Sequence, residues 1–379
     1  MLNDGRVRRI AVDARNIEWR DGTGIARYRA GLAAALSRLP VELRLLGDGT
    51  DADARPAWRD LSRSLRAHHP AISDRRGWHL PDLYRLAQRR FSLTGSLLEL
   101  TLPEPPAIVH WSHPLPIHVR GAANIYTVHD LIPITAPHLT GMSRRRHVRL
   151  LRNLARAAAH FVTVSETVGH ELRDHFGIAD AQTSCCYQAV DPGQPGALPA
   201  GLTQGGYLLA LGRVESRKNI ERLLRAHRRA AVGLPLVIAG PDGHWASPSE
   251  CARVHALLKA PDVMRLAWQH DATVAALVGG ARAVLMPSLA EGFGLPVIEA
   301  MAMSVPTLAA STGAGAEIAG DAALQVDPND VDAIADAIRR LTRDADLRTR
   351  LIRRGTARAE LFSANCFTAR LAALYERFW

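Results

Sequence analysis

Lysine is almost missing from this chain. Lys218 and Lys259 are its only two, against a combined lysine and arginine total of 47. Arginine therefore carries the basic surface, and a retained lysine marks a place where a compact point charge suits better than a planar fork. Aromatic residues are scarce at 5%, so the core must rest on Leu, Ala, Val and Ile, with few rings left to stack on bases. The four cysteines, Cys185, Cys186, Cys251 and Cys366, show neither metal-ligand spacing nor a framework of pairs. That excludes a zinc module and a disulfide scaffold and points to reduced thiols. No apolar run reaches the length of a membrane span, and the apolar part of "MLNDGRVRRIAVDA" is too short for a signal peptide. The expectation is a cytoplasmic protein whose membrane contact is peripheral, at the inner face of the membrane.

What is present is the composition of a globular chain: 379 residues, 47% hydrophobic and 22% charged. This length favours two domains over one core. A net charge of +10 favours anionic partners: nucleic acid, an acidic membrane surface or a phosphorylated substrate. The arginines are spread through the chain and no nucleic-acid-binding motif accompanies them, so no nucleic-acid partner is expected.

Short apolar runs of strand character alternate with helical patterns, the signature of βαβ units. "RRIAVDA", "VELRLLG", "AIVHWSH", "NIYTVHD" and "HFVTVSE" read as strands of a first half, with a basic helix "SRRRHVRLLRNLARAAAH" before the last; the polar stretch from Asp51 to Pro106 has no assignable pattern. "VDPGQPGALPAGLTQGG" is dense in Pro and Gly and reads as a linker. The rhythm restarts at "YLLALGR" and continues through "PLVIAGP", "VMRLAW", "AVLMPS", "PTLAA" and "AALQVD". The expected fold is α/β: two Rossmann-like doubly wound domains facing across a cleft, residues 1–190 and 207–362, joined by a linker at 191–206. A closing helix over 363–379 would pack back on the first domain. In such sheets ligands sit beyond the carboxyl ends of the strands.

The chemistry-bearing residues stand after strands. "AVLMPS" leads into "LAEGFGLPVIEAMAMSVP", where Leu295 or Pro296 opens a helix and proline costs no hydrogen bond. A helix start there is an anion site, and Gly292 and Gly294 let the backbone approach a ligand. Glu291 stands beside that site. Glu299 lies about one turn into the helix among apolar neighbours, where a carboxylate needs a donor partner. A pair of sugar hydroxyls suits it, because a carboxylate accepts two such bonds at once; an arginine would also serve.

In "LGRVESRKNIERLL", Arg213 ends a strand and Lys218 precedes Asn219, a helix N-cap by residue type. Fixed cations at that spacing suit a diphosphate leaving group. In the first half, "GTGIARY" follows the first strand and "YTVHDLIP" places His129 and Asp130 at another strand end, with Ser165 and Glu166 at a third. His129 is placed to bond a substrate hydroxyl or transfer a proton, and Ser165 to cap a helix. The Asp51–Asp53 and Asp344–Asp346 triplets lie in polar contexts away from apolar strand ends, so no metal is implied.

These motifs, in this order, resemble the retaining glycosyltransferases of the GT-B fold, family four. The likeness is strongest from Tyr207 to Pro306, where "LGRVESRKNI", "VIAGPDG" and "MPSLAEGFGLPVIEAMAMSVP" follow the family pattern. The chain departs from it at Ala26, at "YQAVDP" before the linker and at Ala267–Trp268. The resemblance implies a nucleoside-diphosphate-sugar donor as substrate and no metal cofactor. It implies Glu299 at the ribose hydroxyls; Glu291 with the backbone of Gly292, Phe293, Gly294 and Leu295 at the donor sugar; Arg213 and Lys218 at the diphosphate; His129 near the transferred sugar; and Gly24 on the phosphate side. "GIARY" and "HDLIP" resemble bacterial mannosyl- and rhamnosyltransferases of surface polysaccharide assembly, which implies GDP-mannose as donor and a glycan or lipid-linked glycan as acceptor. A sugar-nucleotide epimerase of the same shape, and a basic nucleic-acid-binding protein, remain the alternatives.

Overall fold

The structure is a computed structural model; it describes residues 8–15, 24–48, 62–75 and 77–379. Gly22 and Thr23 of "GTGIARY" and the Asp51–Asp53 triplet lie outside the described residues.

Two large sheets organise the chain. The first has eight strands: β1 (Arg9–Asp13), β2 (Glu42–Gly47), β4 (Ile72–Ser73), β5 (Gly77–His79), β7 (Ile108–Trp111), β9 (Ala123–Val128), β10 (His160–Thr163) and β11 (Thr183–Cys185). Their spatial order is β11-β10-β9-β7-β1-β2-β5-β4, parallel except for β4 on β5. A small third sheet joins β3 (His68–Pro70), β6 (Leu98–Thr101) and β8 (Ile117–Val119). The second large sheet consists of β12 (Leu208–Leu211), β13 (Leu236–Ala239), β14 (Val263–Leu266), β15 (Ala283–Met286), β16 (Thr307–Ala310) and β17 (Leu324–Val326). It is wholly parallel and follows the order β14-β13-β12-β15-β16-β17.

Strands buried on both faces read as continuous apolar runs. "LVIA" in β13, "AVLM" in β15 and "TLAA" in β16 are buried at all four positions. Each large sheet has a point where strand order reverses: between β1 and β7 in the first, between β12 and β15 in the second. Loops on either side of such a point splay apart and leave a crevice. The helix after β1, α1 (Gly24–Leu36), opens onto the first, with the loop after β9 one strand further along; Arg213 follows β12 and Glu291 follows β15 at the second.

Three apolar clusters hold the molecule. One belongs to the first lobe and one to the second. The third crosses between them, from Ile10, Tyr28 and Leu32 to Leu209, Phe293 and Val297, with Phe367 and Tyr375 between. The last two lie on the closing helix Ala364–Tyr375, which lies against α1 and returns the chain end to the first lobe: Arg38 donates to Asn365 and Arg8 pairs with Glu376. The region without an assignable sequence pattern contains a helix, Leu83–Thr94, with a buried face of Leu83, Leu86, Ala87 and Phe91.

Candidate functional site

A cavity of about 510 Å³ lies between the lobes, and the residues the family resemblance placed at the donor line it: Gly24, His129, Arg213, Lys218, Glu291, Gly292, Phe293, Gly294, Leu295 and Glu299; Ser165 and Glu166 do not. Its size is that of a small-molecule site.

Glu291 sits in the loop between β15 and the helix Leu295–Ala302. Both of its oxygens are taken. Lys218 Nζ donates to Oε1 at 2.5 Å and Arg217 Nη1 donates to Oε2 at 2.7 Å. Burial works against its charge, but the two cations prevail and hold its carboxyl down at about 2. Burial in turn pulls Lys218 below its ordinary value, opposed by Glu291. The lysine closes the turn Ser216–Lys218, whose short reach to Glu291 suits one compact charge. Arg217 also forks onto Glu215 and the Ala290 carbonyl, so it braces the loop that carries Glu291. Arg213 lines the same cavity but is exposed; among the described residues its one hydrogen bond, at 3.4 Å, goes to the Asp242 carbonyl. It thus stands at the cavity apart from the Glu291 network.

Asn219 occupies the N-cap position of the helix Ile220–Ala230, with a left-handed φ of 61° and no side-chain capping bond. Its amide donates instead to the carbonyls of Pro287 and Pro328. It thus ties the Lys218 turn to the chain after β15, a role residue type alone does not distinguish from capping.

Glu299 is buried, its side chain 5% exposed. Arg27 Nη1 donates to Oε1, while Oε2 is buried with no hydrogen-bond partner among the described residues. Burial raises its carboxyl above the ordinary range, with Arg27 opposing. The arginine partner considered for this residue is therefore real for one oxygen, and the other is left for a donor from elsewhere.

Gly292 has a reason besides the one its motif suggests. A Cβ there would stand 1.8 Å from the His129 carbonyl oxygen, so the lobes touch at this glycine. The Ser165 hydroxyl donates to the Gly292 carbonyl at 2.8 Å and also caps the helix Glu166–Phe176. Gly294 does need its freedom: it opens the helix Leu295–Ala302 with φ 102°. His129 Nε2 donates to the Ser112 carbonyl at 2.7 Å, which fixes the ring; burial lowers its basicity against the pull of that bond, so the neutral ring leaves Nδ1 as an acceptor. Gly24 begins α1 beside the second lobe; a Cβ there would meet Leu295 at 3.7 Å, an ordinary contact.

Sequence reasoning passed over Arg27 and Arg217. Arg27 follows Gly24 by one helical turn, so the two share a face of α1, and Arg217 adjoins Lys218. Those spacings were the available signal. Asp344 of the second acidic triplet has a structural role, accepting the Leu347 amide at the start of a helix.

The comparisons agree with this architecture. Residues 22–194 match the family described as Glycosyltransferase Family 4, and residues 202–358 match Glycosyl transferases group 1. An O-antigen chain mannosyltransferase B from Escherichia coli is 29% identical over 370 residues, covering 93% of this chain and 95% of that one. An MMP alpha-(1->4)-mannosyltransferase from Mycolicibacterium hassiacum is 30% identical over 286 residues, covering 69% and 67%. Among solved structures, a sucrose-phosphate synthase from Thermosynechococcus elongatus superposes with a TM-score of 0.70 at 20% identity, over 98% of this chain and 99% of that one. Anabaena Alr3699/HepE in complex with UDP and glucose gives 0.66 at 14% identity, over 97% and 99%. The chain belongs to glycosyltransferase family 4 and is a glycosyltransferase with the two-lobed GT-B fold.

Proposed function

We propose that the protein moves a hexose, mannose from GDP-mannose, onto a hydroxyl of a glycan or lipid-linked glycan acceptor, with retention of anomeric configuration, in surface polysaccharide synthesis. One observation carries the reading of the donor: a cavity shared by both lobes holds a buried carboxylate, Glu299, with one oxygen unpartnered among the described residues, beside a helix start and the cations Arg213 and Lys218. A ribose hydroxyl supplies the missing donor at Glu299. Arg213 and Lys218 hold the diphosphate, and Gly24 lines its phosphate side. Positive charge fixed where the leaving group gains negative charge stabilises the transition state without reorganisation, so the reading calls for no metal. Glu291 and the Gly292–Leu295 backbone hold the sugar. His129, neutral and fixed, accepts from a sugar hydroxyl through Nδ1. A same-face departure and attack accounts for retention without a protein nucleophile. Mannose is favoured by mannosyltransferases among the relatives, and a nucleoside diphosphate by the UDP complex of the HepE neighbour.

The acceptor reading extends to the membrane. The helix Arg144–Ala157 exposes Arg144, Arg145, Arg149, Arg152 and Arg156, and each basic residue near an anionic leaflet adds about 1 kcal/mol. No helix among the described residues is long and apolar enough to cross a membrane. A melting-point screen with GDP, UDP, dTDP and ADP tests the donor, since a ligand that binds only the folded state raises the melting point. A rise with GDP above the others is expected; no rise with any of the four overturns the donor reading. Flotation with anionic vesicles at low and high salt tests the membrane contact, which fails if nothing floats at low salt.

A further inference from the structure

Arg27 belongs to the first lobe, yet its fork engages carboxylates of the second. Nη1 bonds Glu299 Oε1, and Nη2 bonds Asp271 Oδ1 at 3.1 Å. Asp271 begins the helix Asp271–Gly280, so the fork joins three helices across the cleft: α1, that helix and Leu295–Ala302. The burial is graded. Glu299 is 5% exposed, Arg27 34% and Asp271 83%, so the guanidinium bridges a buried carboxylate and an exposed one.

We infer that Arg27 is a positioning residue for the donor. By holding one oxygen of Glu299 from the opposite lobe, it turns the other oxygen into the cavity and makes donor affinity depend on the docking of the two lobes. The inference rests on the donor reading above. A carboxylate this buried costs several kcal/mol unless it is paired, and an arginine fork fixes orientation as well as charge. Without Arg27, Glu299 faces Asp271, a like charge, and has nothing to fix its rotation. The lobe separation that lets the fork reach is limited by one close approach, Gly292 on the His129 carbonyl. A lysine in place of Arg27 can engage one carboxylate but not both in fixed geometry.

Calorimetric titration of the whole chain with GDP, UDP, dTDP and ADP tests this, using wild type, Arg27→Gln, Arg27→Lys, Glu299→Gln and the double variant Arg27→Gln/Glu299→Gln. For the diphosphate that wild type binds, Arg27→Gln is expected to weaken affinity about tenfold or more, and Arg27→Lys to recover part of the loss. In the Glu299→Gln background the Arg27 change should add little, because its route to the donor is gone. Equal affinity in wild type and Arg27→Gln, or full additivity of the two changes, overturns the inference while leaving the donor reading intact. Wild type that binds none of the four overturns the donor reading itself. Should Arg27→Gln fail to fold, Asp271→Asn releases one arm of the fork and leaves Glu299 paired. A loss of about twofold or more then upholds the inference, and unchanged affinity overturns it.

Discussion

Glu291 and Glu299 line one cavity, eight positions apart in the sequence, and they are held in opposite ways. Glu291 is fully matched from within its own lobe, by Lys218 and Arg217, and its carboxyl is held down at about 2. Glu299 is half matched, from the other lobe, and burial pushes its carboxyl up. A carboxylate bonded at both oxygens is pinned in place and meets a ligand only through its remaining lone pairs, whereas one with an unpartnered oxygen waits for a donor. Identical side chains in one motif thus do different work, and the cause is which cations the fold delivers to each.

The comparison breaks most sharply at Lys218. Lys218→Ala removes the compact cation between Glu291 and the proposed diphosphate, and turnover of the donor is expected to fall on the order of a hundredfold or more. Steady-state kinetics with the identified donor checks it; normal turnover sinks the diphosphate role. Next comes Glu291→Ala, which strands Lys218 and leaves Arg217 only the Glu215 carboxylate. Removing one partner from a buried pair costs roughly 3 kcal/mol or more, so a clear drop in melting temperature is expected, read by scanning calorimetry. Glu299→Gln, which strands only a partly exposed arginine, should lower it far less.

Acidification separates the two residues by sign. The folded pKa of Glu299 is raised, so as pH falls toward the ordinary glutamate range this residue protonates first. Its proton relieves a cost of folding but removes an acceptor, so diphosphate affinity should fall while its contribution to stability rises. The pKa of Glu291 is depressed, so its stabilising contribution is present above the ordinary range and is lost only as pH falls through about 2. Titrating affinity and melting temperature across pH 7 to 4 checks the order: affinity that holds steady to pH 4 contradicts the assignment of Glu299.

The smallest effect concerns glycines. Gly292→Ala would drive a methyl into the His129 carbonyl and force the lobes apart, so loss of diphosphate affinity is expected. Gly315→Ala meets nothing within 4 Å in the helix Gly313–Ala319 and should stabilise slightly, by about 0.5 kcal/mol. Chemical denaturation of the two variants measures the contrast.

Much of the second lobe was legible in the sequence because its strands are buried on both faces and read as unbroken apolar runs, as in "LVIA" and "AVLM". The stretch from Asp51 to Pro106 was not. Its strands are two to four residues long and its helix Leu83–Thr94 mixes arginines into the pattern, so periodicity had too little length to register. The candidate residues were legible because each follows an apolar strand. Their partners were not, since hydrogen bonds over 73 residues from Lys218 to Glu291, or 272 from Arg27 to Glu299, leave no local trace.

The order of strands and the spacing of charged residues after them were thus enough to fix the α/β architecture and the contents of the cleft, because strand burial and turn chemistry act over a few residues. That Glu291 would be saturated was decided by the tertiary fold of the second lobe, and that Glu299 would be held at one oxygen was decided only when the lobes docked. The second outcome depends on the distance between Arg27 and Glu299 across the cleft, and such a distance is limited by packing at Gly292 on His129, a contact between residues far apart in the chain.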